Sequence, residues 1–243
     1  MKKWIKYILI GLLVILLVTF AGFYIWTQQT RDATDELYSL VNENEWSNED
    51  NIVTFLPEEP NGTGIVLYPG GKVEPEAYAY YAKGLAEEGY LVAIPAVRLN
   101  LAMLDQSRAE DVFDSHPSIE KWVIGGHSLG GVGAALYAQN NPKKIEGIIF
   151  LASYPGGGAD FSGTDLPMLL LYGENDGLST VEDIKESEAL LSDEALLHGI
   201  KGGNHAQFGM YGEQPGDMAA AVSAKEQQAE MMSVTLEWLT TFK

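Results

Sequence analysis

A serine, an aspartate and a histidine, each just past an apolar run, have the types and spacing for acyl transfer. Ser128 lies in Gly126-His127-Ser128-Leu129-Gly130, a G-x-S-x-G pattern. Trp122, Val123 and Ile124 before it suit a buried strand. Ala134, Ala135, Leu136 and Tyr137 after it favour a helix. A serine on a sharp strand-to-helix turn projects its hydroxyl away from the sheet. The turn is tight, so a side chain at Gly126 or Gly130 would clash. The start of a helix also favours negative charge developing at the serine.

A serine hydroxyl is a weak nucleophile until a base removes its proton. The chain has four histidines. His116 precedes Pro117 in a linker, His127 points elsewhere on the serine turn, and His198 falls inside a strand pattern. His205 stands in Gly202-Gly203-Asn204-His205, a loop just after the last strand pattern. Loops at the carboxyl ends of parallel strands gather at one edge of the sheet, which makes His205 the candidate base. A third group must fix its tautomer and stabilise its charged form. Asp176, in Tyr172-Gly173-Glu174-Asn175-Asp176-Gly177, again follows a strand pattern, with Glu174 as its local rival.

The elements that must position these residues alternate along the chain. Strands are predicted over 52–56, 65–68, 90–94, 122–124, 145–151, 168–172 and 196–200. Helices are predicted over 76–88 with Gly89 as stop, over 101–113, after Ser128, over 180–191 with Thr180 as cap, and over 222–242. Such alternation predicts an α/β fold, a mostly parallel central sheet with helices on both faces.

Four pieces of this chain together resemble the α/β-hydrolase superfamily, in particular its small single-domain bacterial members. They are the apolar strand into Pro69-Gly70-Gly71, the Gly126–Gly130 turn, Gly173-Glu174-Asn175-Asp176, and Asn204-His205. The resemblance runs from about residue 52 to the end of the chain and implies the α/β-hydrolase fold. It implies a triad of Ser128, Asp176 and His205, in the order nucleophile, acid, histidine. It also implies an oxyanion hole from the Leu129 amide and a second amide after the strand that ends at Tyr68. Many members carry His-Gly there; this chain has Pro69-Gly70, which makes Gly71 the donor and Lys72 the runner-up. The implied reaction is two-step acyl transfer that requires no metal and no cofactor.

Members of the superfamily often carry a cap domain before the acidic loop. Here only residues 152–167 are available, so no cap domain is expected and the site should be open. Tyr154, Phe161 and Phe208 are candidates to line an acyl pocket. An open site fits a carboxylesterase acting on a small-molecule acyl ester. The same triad would serve an acyltransferase or a serine peptidase. A catalytically dead cell-surface binding module is the alternative outside enzymes.

Composition narrows the partners. The chain has 243 residues, no cysteine, 15 basic and 34 acidic residues. Three of the basic residues, Lys2, Lys3 and Lys6, lie in the first six positions, leaving 12 basic against 34 acidic beyond them, a formal charge of −22. Such a domain does not seek nucleic acid, and its field repels anionic headgroups at long range. With no cysteine, disulfides and thiolate metal sites are excluded. Residues 7–26 form an uncharged apolar run of 20, long enough to cross a bilayer as a helix. Lysines before it and acidic residues after it place the N-terminus in the cytoplasm and the domain outside. A cleaved signal peptide is the competing reading. The expected organisation is a cytoplasmic stub and membrane anchor over 1–27, an acidic tether over 28–50 with one helical turn docked on the domain through Leu37, Tyr38, Leu40 and Val41, and a catalytic domain over 51–243.

Overall fold

The computed structural model describes residues 3–241. Met1, Lys2, Phe242 and Lys243 lie outside them, and the last predicted helix ends on one of these, Phe242. The strands are β1 (Ser47–Glu49), β2 (Ile52–Phe55), β3 (Thr63–Tyr68), β4 (Leu91–Pro95), β5 (Lys121–His127), β6 (Gly147–Leu151), β7 (Met168–Gly173) and β8 (Ala195–Ile200). They form one sheet in the order β1-β2-β4-β3-β5-β6-β7-β8. From β4 to β8 every pairing is parallel, while β1 and β2 add an antiparallel edge.

The central strands are apolar on both faces because helices cover both. Ile65, Leu67, Val123, Ile149 and Leu169 face one core, with α3 (Ala79–Ala86) and α7 (Ala224–Leu239) packed over it. Val66, Tyr68, Ile124, Phe150 and Leu170 face the other, under α4 (Arg108–Ser115), α5 (Leu129–Asn140) and α6 (Val181–Ser187). Thr180 caps α6 through a capping box with Asp183. Gly89, at φ 92, ends the α3 region, where a Cβ would stand 2.9 Å from the Glu59 carbonyl oxygen. Residues 152–167, between β6 and β7, hold no helix or strand, so nothing caps the carboxyl edge there.

One expected helix differs. The helix predicted over 101–113 is broken into a single 3-10 turn, Ala102–Leu104, followed by α4. Local side-chain bonds replace the helical ladder. Asp105 accepts from the Arg98 amide at 2.9 Å, and the Tyr68 hydroxyl bonds the Gln106 carbonyl while accepting from the Ala109 amide.

The stretch over 28–50, expected as a tether with one helical turn docked on the domain, holds such a turn. Its helix α2 (Asp35–Leu40) buries Leu37, and Val41 just beyond it is buried too, because both complete the core beside α3. The Thr34 amide donates to the Met210 carbonyl at 2.8 Å, and β1 lengthens the sheet. Before it, α1 (Lys3–Thr27) is long and apolar enough to cross a membrane. It is exposed along its length except at Thr27, which is fully buried.

Candidate active site

The serine turn is strained and tightly held. Ser128 sits between β5 and α5 at φ 51, ψ −121, a conformation that costs a non-glycine residue about 1–3 kcal/mol. Its amide donates to the Leu151 carbonyl at 3.0 Å, and its carbonyl accepts from Ser153 Oγ at 2.7 Å. A Cβ on Gly126 would meet the Gly130 backbone at 2.3 Å, and one on Gly130 the Tyr68 carbonyl oxygen at 2.2 Å. Only glycine lets β5 and α5 approach this closely. Leu129 opens α5, so its amide has no intrahelical acceptor and points out of the helix start.

At the same sheet edge, His205 Nδ1 lies 2.8 Å from Asp176 Oδ2, and both residues are about 1% exposed. Asp176 Oδ1 accepts from the Leu178 and Ser179 amides, each at 2.7 Å. The carboxylate oxygen can only accept from the ring, so Nδ1 carries the proton and Nε2 presents a lone pair. That Nε2 is buried and has no hydrogen-bond partner among the described residues, Ser128 included. Glu174 is exposed on the same loop and does not reach the histidine. His127, next to Ser128, brings its ring centroid to 4.6 Å from that of His205.

Residues that the sequence patterns do not single out hold this arrangement. Asp217 spans the two loops. Its Oδ1 accepts from the Gly177 amide at 3.0 Å and the His205 amide at 3.3 Å, and its Oδ2 from the Ala206 amide at 2.8 Å. Gln227, fully buried on α7, exchanges two hydrogen bonds with the backbone of Asn204. Both contacts are between residues distant in sequence and leave no local pattern; the only hint is the turn-forming Pro215-Gly216-Asp217.

His127 has a partner of its own. Burial holds the Tyr78 hydroxyl protonated, above its ordinary range. The Tyr78 oxygen accepts from the Gly70 amide at 2.8 Å and lies 2.8 Å from His127 Nδ1. Its proton therefore goes to Nδ1. Burial first, and then its electrostatic interaction with His205, hold His127 well below the usual imidazole range, so it stays neutral.

The loop after β3 is pinned on both sides of Gly71. The Gly70 amide is taken by Tyr78, and the Lys72 amide donates to the Asn100 carbonyl at 2.9 Å. The Gly71 amide between them has no partner among the described residues. A Cβ on Gly71 would stand 2.8 Å from Leu129 Cδ1, which places the two loops side by side. Lys72 itself, at φ 63, accepts from the Arg31 amide at 2.7 Å and rests its Nζ 4.3 Å from the Trp26 ring centroid.

The three residues expected to line an acyl pocket do not come together. Phe208 is buried in the core under α3 and α7, and Phe161 in the core on the other face. The Phe208 ring stacks on that of His127, with centroids 6.1 Å apart. Tyr154 is half-buried against the Phe161 core.

A model of the alpha/beta hydrolase family matches residues 64–229. Solved structures with the same fold include a predicted CIB-like hydrolase from Thermoplasma acidophilum, 15% identical over 80% of this chain and 95% of that one, with a TM-score of 0.59. An alpha/beta hydrolase enzyme from a sediment metagenome of the Mar Chica lagoon is 19% identical over 81% of this chain and 98% of that one, with a TM-score of 0.58. Est1E from Butyrivibrio proteoclasticus is 14% identical over 78% of this chain and 95% of that one, also with a TM-score of 0.58. No curated protein matches significantly. The family match, spanning more than half of the sequence and all the elements that carry Ser128, Asp176 and His205, shows that the chain belongs to the alpha/beta hydrolase family.

Proposed function

We propose that the protein is a serine hydrolase that cleaves acyl esters through an acyl-enzyme on Ser128, acting as a carboxylesterase. The observation that carries this reading is the buried Asp176–His205 pair, 2.8 Å apart, at the edge where Ser128 is held at φ 51. His205 Nε2 takes the hydroxyl proton as Ser128 Oγ attacks the ester carbonyl. Asp176 keeps the proton on Nδ1 and stabilises the imidazolium that forms. The resulting oxyanion accepts from the Leu129 and Gly71 amides, each worth about 10²–10³ in turnover. Gly71 is preferred over Lys72 because the Lys72 amide is already bonded to Asn100. His205 then protonates the leaving alcohol and activates the water that releases the acid. The histidine and serine close their hydrogen bond as substrate enters, as unliganded sites often require.

Est1E, with the same fold, has been solved with ferulic acid bound, and another such structure is of lipolytic enzymes, which supports acyl-ester chemistry here. Full-length protein in detergent should hydrolyse p-nitrophenyl esters of graded chain length. Ser128→Ala should leave the fold intact and retain no more than a few per cent of the rate. A more active variant contradicts the assignment.

The localisation belongs to the same proposal. Lys3 and Lys6 lie at the start of α1 and acidic residues follow its end, a bias that keeps the start of the helix in the cytoplasm and puts the domain outside. Protease added to intact cells should degrade the domain, and the membrane fraction should carry the full-length mass. A shielded domain overturns the orientation, and a soluble form starting near residue 28 overturns the anchor.

A further inference from the structure

We infer that the sheet edge carrying Ser128 rests on the bilayer that holds α1, and that the substrate is an acyl ester resident in that bilayer. The inference builds on the proposed ester cleavage at Ser128 and on α1 as a membrane helix. Its first ground is how α1 ends. The helix does not lead into a free linker. The buried Thr27 offers its carbonyl to Asn100 Nδ2 at 2.9 Å, the Trp26 ring covers Lys72 Nζ, and Arg31 pairs with Val73 as a β-bridge. Asn100 follows β4 and Lys72 follows β3, so the helix end docks on the carboxyl edge of the sheet, where Ser128 also lies. The domain is thus held against the membrane by the edge that carries its site.

The second ground is the distribution of exposed apolar residues. Among the described residues, eight large apolar side chains outside α1 are exposed. Five of them, Met103, Leu104, Leu129, Leu178 and Met218, stand in the segments that follow the carboxyl ends of β4, β5, β7 and β8. Apolar side chains gathered at one edge mark an interaction surface, and a bilayer covers them at no cost in polar groups. Trp26, with the Lys72 Nζ over its ring, suits the membrane–water interface. At this exit the Arg31 amide donates to the Lys72 carbonyl, although the chain is strongly acidic overall. The surplus of acid elsewhere disfavours anionic headgroups, which points to an uncharged or zwitterionic lipid ester. With no cap over the edge, such an ester can rise from the leaflet directly to Ser128. Water adds across the ester: the carbonyl–oxygen bond breaks, and a fatty acid and the lipid alcohol leave, with no further reactant.

The test uses the full chain in phosphatidylcholine vesicles. Dioleoylglycerol in the bilayer is compared with soluble p-nitrophenyl acetate. The double substitution Met103→Asp, Leu104→Asp changes none of the proposed triad residues or oxyanion donors. It should cut dioleoylglycerol hydrolysis about tenfold while the soluble ester is turned over at the wild-type rate. Equal loss on both substrates, or no loss on either, overturns the inference. Because the chain has no cysteine, a fluorophore on Leu104→Cys, and in a second variant on Leu196→Cys at the far edge, reports position directly. Quenchers carried on lipid tails should dim the label at 104 and spare the one at 196. No quenching at 104 overturns the surface. If the wild type cleaves neither ester, the catalytic reading falls and the substrate with it, while the quenching still decides the surface.

Discussion

The loops on the two sides of Ser128 are held by different means. On the proposed acid–base side, Asp176 and His205 are buried and held from within the sheet domain: Asp176 by the Leu178 and Ser179 amides, His205 by the Asp217 carboxylate, and the neighbouring Asn204 by the Gln227 amide. On the proposed oxyanion side, Tyr78 supplies the interior hydrogen bond, among the described residues, to the Gly70–Lys72 loop. Its other ties run through Asn100 to Thr27, to Arg31, and to Trp26 at the end of the membrane-grade helix. One side is a closed polar network in the protein interior. The other is a surface strap whose geometry depends on where the chain leaves α1. A buried carboxylate with all its donors in place fixes a histidine within a narrow range, whereas a strap can be shifted by whatever moves the anchor.

If the two sides differ in this way, substitutions should rank accordingly. The largest effect belongs to the interior network. Asp176→Asn should lower turnover of a soluble ester by about 10³–10⁴, because the histidine loses its correct tautomer, while Glu174→Gln stays close to wild type. A larger loss at Glu174 would reverse the assignment. Asp217→Ala comes next. It strips an acceptor from the Gly177, His205 and Ala206 amides, so turnover should fall roughly 10²-fold with unchanged KM, and stability by about 1–3 kcal/mol. Thermal melts beside single-turnover rates check both parts. On the strap side, Asn100→Ala removes the bond to Thr27 but leaves the carbonyl that holds Lys72. A roughly three- to tenfold drop in kcat is expected, and a loss as large as that of Asp217→Ala would erase the contrast.

The smallest effect is on stability against pH. His127 is neutral in the fold because burial and His205 depress its pKa, whereas in the unfolded chain it takes a proton near 6.5. Its contribution is complete above that value and is lost as pH falls from 6.5 toward the depressed folded value, at about 1.4 kcal/mol per pH unit. His127→Gln should flatten the melting temperature between about pH 6.5 and 5.5. His116, also pushed down by burial, titrates in the same window and needs its own substitution as a control.

How far the sequence carried this picture depends on the range of each interaction. The glycines around Ser128, the Thr180 cap and the strand alternation are local patterns, and the structure has the fold they predict. The placement of Ser128, Asp176 and His205 at one edge also followed, since each sits just past a strand whose direction the alternation implies. Asp217, Gln227 and Asn100 were not legible, because their partners are backbone groups far along the chain. The helix over 101–113 misled for a related reason: its apolar spacing is real, but Asp105 and the distant Tyr68 hydroxyl capture the backbone first. Within the acidic stretch over 28–50 the docked turn was legible from Leu37, Leu40 and Val41, whereas β1 was not, because its three residues are polar and exposed.

The central claim is that Ser128 carries the acyl group, and covalent labelling tests it most directly. Full-length protein treated with a fluorophosphonate should gain one adduct, and peptide mass analysis should place it on the fragment holding Ser128. Ser128→Ala should gain none, and Asp176→Asn should label far more slowly. An unlabelled wild-type protein, or an adduct that persists in Ser128→Ala, would contradict the account.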